Sequence, residues 1–139
     1  PTETWTEIRK TIDFAEEINV DYVKLFIAIP LRNTEMFDLA ERTNSINADT
    51  YNGKTLWTIG GSIKSDQWSP DDLTILRAYE WDRINFSDPK KLKKIADRMG
   101  ISINELNAIR RRTMDNAKKV IVSHQDTSVT KAADISLVK

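Results

Sequence analysis

Asp21-Tyr22-Val23-Lys24-Leu25-Phe26-Ile27-Ala28-Ile29-Pro30 is the stretch on which the fold turns. From Tyr22 to Ile29 it is rich in β-branched and aromatic residues, and Pro30 ends it by removing a backbone donor. Its nearly continuous apolar character predicts a buried parallel strand. Side chains alternate along a strand, so Val23, Leu25, Ile27 and Ile29 form one aliphatic face. Tyr22, Lys24, Phe26 and Ala28 form the other. The aliphatic face suits packing under helices; the mixed face suits a barrel lumen or cleft in which Lys24 and Phe26 meet a ligand. The plainer alternative is that Lys24 snorkels from a strand near an edge.

Helical signals lie on both sides. Upstream, Thr4 followed by Glu7 reads as a capping box. Trp5, Ile8, Ile12 and Ala15 then recur at helical spacing, which predicts a helix from Thr4 to Ile18. Downstream, a second helix is expected from Thr34 to Thr43. Helix, short turn, buried strand, helix is α/β grammar with right-handed crossovers.

The next part is irregular, with Asn52-Gly53 and Gly60-Gly61 as turn signals and Thr55 to Ile59 as a candidate short strand. Trp57 and Trp68 lie here, either stacking on a ligand or closing a core. Ser69 as cap, Pro70 at the first helical position and Asp71 and Asp72 in the first turn start a helix that runs to Phe86. Asp88-Pro89 starts another, which Gly100 stops. Ser102 with Glu105 is a further capping box, opening a last helix. The domain reading is an α/β segment over 1–86, a basic helical hairpin over 87–123 and a tail over 124–139.

Composition bounds the chemistry. The chain has 139 residues, 40% hydrophobic and 30% charged, with 21 acidic and 21 basic residues. That is the profile of one globular domain. The longest apolar run, Leu25 to Leu31, is far short of a membrane span, and the expected compartment is the cytoplasm. Zero cysteines exclude disulfides and thiolate ligation of zinc or iron–sulfur clusters by this chain. The lone histidine, His124, makes no metal cluster. The neutral total hides an asymmetry: residues 1–86 carry nine basic against fifteen acidic side chains, and 87–123 carry ten against four.

Several segments in order resemble the radical S-adenosylmethionine family, in particular its cobalamin-binding branch. They are Pro1-Thr2-Glu3-Thr4, Thr11-Ile12-Asp13-Phe14-Ala15, Asp21-Tyr22-Val23 and Ile29-Pro30-Leu31-Arg32-Asn33-Thr34. The family's fifth strand ends in Gly-x-Pro-x-Glu-Thr and its sixth in Pro-x-Pro-Gly-Thr. Trp68-Ser69-Pro70-Asp71-Asp72-Leu73 up to Phe86 resembles the helix that follows its barrel, so the resemblance covers residues 1–90. It implies the C-terminal part of a (β/α)6 partial barrel followed by a mostly helical region. In the parent enzyme a [4Fe-4S] cluster cleaves S-adenosylmethionine to a 5′-deoxyadenosyl radical, and cobalamin is an optional further cofactor.

The resemblance also implies roles. Glu3 matches the motif glutamate, the plainer alternative being a first-turn carboxylate stabilised by the helix dipole, and the sixth-strand end, carried onto Phe26, Ala28 and Pro30, would contact the adenine. Arg32, just past that end, suits a substrate carboxylate or phosphate, and Lys24 is the second candidate for substrate. There are departures. Arg32-Asn33-Thr34 replaces Pro-Gly-Thr, and the three-cysteine cluster motif is absent. The expectation is therefore a fragment, inactive alone, whose partner is the missing N-terminal half of the barrel. Its strand edge would be covered by self-association or by a strand folded back from Val129 to Val138.

Residues 89–112 carry a competing reading, a helix-turn-helix. Ala96 is the small residue of the first helix, Gly100 the turn, and Leu106 and Ile109 the apolar contacts of the second. Asn104, Asn107, Arg110, Arg111 and Arg112 would then read base edges while Lys90, Lys91, Lys93 and Lys94 neutralise phosphates. Against it, the basic face would simply dock on the acidic first part. A stand-alone interaction domain without catalysis is the third reading.

Overall fold

A computed structural model describes residues 2–46 and 61–123, with side chains to residue 119. Five α-helices form: α1 (Trp5–Glu17), α2 (Glu35–Arg42), α3 (Pro70–Phe86), α4 (Pro89–Met99) and α5 (Ile103–Ser123). Among the described residues there is no strand; the one β feature is an isolated antiparallel bridge between Ile46 and Ile63. This overturns the expected α/β class and the (β/α)6 partial-barrel segment.

The physical reason lies at Tyr22–Ile29. A strand satisfies its N–H and C=O groups only through a neighbour, and none of the described segments pairs with this one. The other strand candidates, Thr55–Ile59 and Val129–Val138, lie outside the described residues. A side chain takes the neighbour's place at one position. The buried Asn85 amide accepts from Val23 N–H at 2.8 Å, donates to Val23 C=O at 2.8 Å, and donates to Trp81 C=O at 2.9 Å. The alternation nevertheless holds. Val23 is buried and Leu25, Ile27 and Ile29 are half-buried, while Tyr22, Lys24, Phe26 and Ala28 are exposed.

The helix termini form where capping chemistry puts them. The Thr4 hydroxyl accepts from Glu7 N–H and the Glu7 carboxylate accepts from Thr4 N–H. Ser69 and Asp72 make the same reciprocal pair on α3, and Ser102 and Glu105 make it ahead of α5. Gly100 adopts φ 67°, the left-handed conformation that suits glycine at a helix end.

Helix α3 is central. It is buried on several sides, at Ile75, Leu76, Ala78, Ile84 and Phe86, because α1 covers one flank and α4 and α5 cover another. Ile12 and Val23 pack with Leu76 and Ile84, whereas Phe86 packs with Ile95, Ala96 and Leu106. The two clusters sit at different places along the same helix. Glu80 on α3 is almost wholly buried, and it accepts from Arg9 and Arg83 at 2.7 Å each, tying α1 to α3. No described helix is long and apolar enough to cross a membrane.

Candidate functional site

An apolar pocket lies between α1, the extended segment and α3. Its cavity is about 360 Å³, and Leu25, Ile27, Ile63, Trp68 and Leu76 form much of its wall. That volume is at the lower end of the range for small-molecule sites.

Three anchors hold its walls in place. The N-terminal segment is pinned to the turn before α3: Trp5 N–H donates to Gln67 Oε1, the Trp5 indole to Gln67 C=O at 2.7 Å, and the Trp68 indole to Glu3 C=O at 2.8 Å. Trp68 thereby serves as a buried clamp. Asn85 fixes Val23, one end of the extended segment. At the other end Gly61 lets the backbone pass close, since a Cβ there would lie 3.0 Å from Ile27 Cγ2.

The sequence-derived candidates divide. Glu3, Phe26 and Ala28 are brought together on this one pocket. Pro30 is fully buried and is not part of its lining. The Lys24 ammonium lies over the Phe26 ring, 4.9 Å from its centroid, and Lys24 is not among the pocket's lining residues. Arg32 stacks over Phe37 at 5.6 Å and is exposed; it is not among the pocket's lining residues. Phe26 is 76% exposed, a large apolar ring left in solvent.

Sequence reasoning missed Arg77. It lines the pocket from α3, and its Nε is buried without a hydrogen-bond partner. Burial lowers its pKa by desolvating the guanidinium. Its spacing from Leu73 and Glu80 puts it near their side of α3, but spacing alone does not show that it meets a pocket.

The turn after Pro30 bears on the family motif. Asn33 adopts φ 67°, a left-handed conformation open to glycine and, among other residues, mainly to asparagine and aspartate. Asn33 is thus the left-handed residue of this turn. Thr34 then caps α2 through Phe37 N–H.

The basic hairpin is differently disposed from the base-reading expectation. Arg110 makes a bidentate pair with Asp82 of α3, at 2.7 and 2.9 Å, and its guanidinium stacks 4.9 Å from the Phe86 centroid. It is a packing residue. Lys94 and Arg98 both pair with Asp21, and Lys93 pairs with Asp97. Ile109, expected as an apolar contact, is exposed. Asn104, Arg111 and Arg112 are exposed on α5. Among the described residues no group of acidic, histidine or cysteine side chains could hold a metal; His124 and Trp57 lie outside the described residues.

No family model, curated protein or solved structure matches the chain. The family resemblance therefore rests on its motif residues alone.

Proposed function

We propose that the chain is a ligand-lining part of a radical S-adenosylmethionine enzyme, supplying pocket walls and no cluster ligands. One observation carries the reading: Glu3, Phe26 and Ala28, singled out by motif position, line the same apolar pocket, together with Leu25 and Ile27. The left-handed Asn33 at the motif's glycine position adds to it. The pocket's apolar walls suit an adenine ring, and the orphaned Arg77 Nε suits a polar group of a ligand. An iron–sulfur cluster does not fit this chain, which has no cysteine to hold one. Its ligands would come from another polypeptide segment. The helical architecture narrows the chain's share to the Glu3 segment, the extended stretch and the cover from α3.

Titration of the isotope-labelled chain with S-adenosylmethionine tests this. The amides of Phe26 and Ala28 should shift, and S-adenosylhomocysteine should compete. Unmoved amides at millimolar ligand would sink the reading. Reconstituted with iron and sulfide, the chain alone should form neither cluster nor 5′-deoxyadenosine.

A second reading, nucleic-acid binding, has its own observation. Helix α4, the left-handed Gly100 and α5 form a helix-turn-helix hairpin packed on α3, with Ala96 and Leu106 buried at its closest approach. The engagement of Lys94, Arg98 and Arg110 by carboxylates weighs against it. Anisotropy of a labelled duplex at low and moderate salt decides: binding that weakens steeply with salt and is lost in Arg111→Ala/Arg112→Ala would favour it.

A further inference from the structure

Four partly buried arginines can be compared. Arg9 is paired with Glu80, Arg83 with Glu80 and Glu16, and Arg110 with Asp82. Arg83 and Arg77 each bury one nitrogen without an acceptor, Nη2 and Nε respectively, but only Arg77 has no paired carboxylate among the described residues. It is also the one of the four that lines the apolar pocket. A desolvated guanidinium without a counter-charge is costly, and a planar fork of donors is shaped for a carboxylate.

We infer that the pocket takes a small molecule with an apolar body and a carboxylate, and that Arg77 is the group that receives the carboxylate. The body lies against Ile8, Leu25, Ile27 and Leu76, and the carboxylate supplies the acceptor that Arg77 lacks. A ligand of eight to ten heavy atoms is commensurate with about 360 Å³. Phe26, exposed at the mouth, is placed to close over the bound molecule. This rests on the proposed function only in placing a ligand in this pocket.

The test uses the 139-residue chain with octanoate and its uncharged counterpart octanol, followed by amide chemical shifts. Octanoate should bind at least about tenfold more tightly than octanol, with shifts centred on Leu25, Ala28 and Arg77. Arg77→Met should bring octanoate down to the affinity of octanol or below, and Arg77→Lys should keep part of the preference. Equal affinity for the two probes, or shifts centred elsewhere, would overturn the inference. Should Arg77→Met not fold, the comparison of the two probes on the natural chain decides alone. S-adenosylmethionine run alongside separates the two claims. Octanoate preferred while S-adenosylmethionine is ignored leaves this inference standing and removes the radical-enzyme reading. S-adenosylmethionine bound without any preference for octanoate does the reverse.

Discussion

The hairpin α4–α5 and the extended segment Tyr22–Pro30 are both apolar on one face, yet the first is regular secondary structure and the second is not. In the hairpin the backbone partners lie close by in sequence, down to the turn, where Ile101 N–H reaches Ala96 C=O. Asp88 starts it, Gly100 ends its first helix, and the Ser102–Glu105 box opens its second. The extended segment has no such local resource. Its partners must come from elsewhere in the chain, and at Val23 they come from one asparagine 62 residues away. Helical structure is self-supplied, whereas extended structure depends on what the rest of the fold can spare.

Leu106→Ala should break the helical side of this contrast most strongly. Leu106 is fully buried against Phe86, Ile95 and Ala96, and truncation there costs about 3–4 kcal/mol. Urea unfolding measures the loss, and hydrogen exchange should show it in α4 and α5 first. Protection lost first at α1 would mean that the two clusters are not separable along α3.

Asn85→Ala tests the other side. Two buried backbone groups of Val23 lose their partner together, at about 2–3 kcal/mol. The Val23 amide should become exchangeable while α4–α5 keep their protection. An unchanged Val23 amide would remove the asparagine as a stand-in for a strand.

A smaller effect is expected from Gly100→Ala. Nothing lies within 4 Å of the added methyl group, so the cost is the left-handed backbone alone, about 1 kcal/mol. Thermal melts should register it as a small drop shared by α4 and α5. A cost several times larger would mean that the turn is held by contacts beyond its own backbone.

The smallest effect concerns acid. The Glu7 and Glu105 carboxylates are held below the ordinary 4.5, each first by a backbone N–H donated to it, from Thr4 and Ser102 respectively. Depressed carboxylates favour the folded state above their ordinary pKa, and that contribution fades as pH falls through the folded values. Helicity by circular dichroism should therefore be flat near neutrality and decline in the acid range. Replacing both by glutamine should flatten that acid limb; an unaltered limb would place the acid sensitivity at other carboxylates.

Legibility in the sequence followed the same division. Thr4, Ser69, Asp88, Gly100 and Ser102 mark helix boundaries from their own chemistry, and the helices begin or end there. At Tyr22–Ile29 the aliphatic residues are the more buried ones, but the mixed face expected in a lumen or cleft is exposed and the parallel strand did not form. Of the candidate ligand residues, Glu3, Phe26 and Ala28 converge on one pocket, while Pro30 and Arg32 do not belong to it. Arg77 was passed over because an arginine in a helix reads as solvated until the opposite wall of its pocket is known. Arg110 was read as a surface contact because its partner Asp82 is 28 residues away.

Some of this protein is determined by sequence alone: the capped helices, the aliphatic face of the extended segment, and the absence of any thiolate ligand. These depend on interactions within a few residues or on composition. Tertiary structure alone decided that the extended segment pairs with a side chain instead of a sheet. It also decided that Glu80 sits between two arginines and that Arg77 lines an apolar pocket with no counter-ion among the described residues. Each of these depends on groups far apart in the chain meeting at atomic distance, and residue spacing carries no record of such meetings.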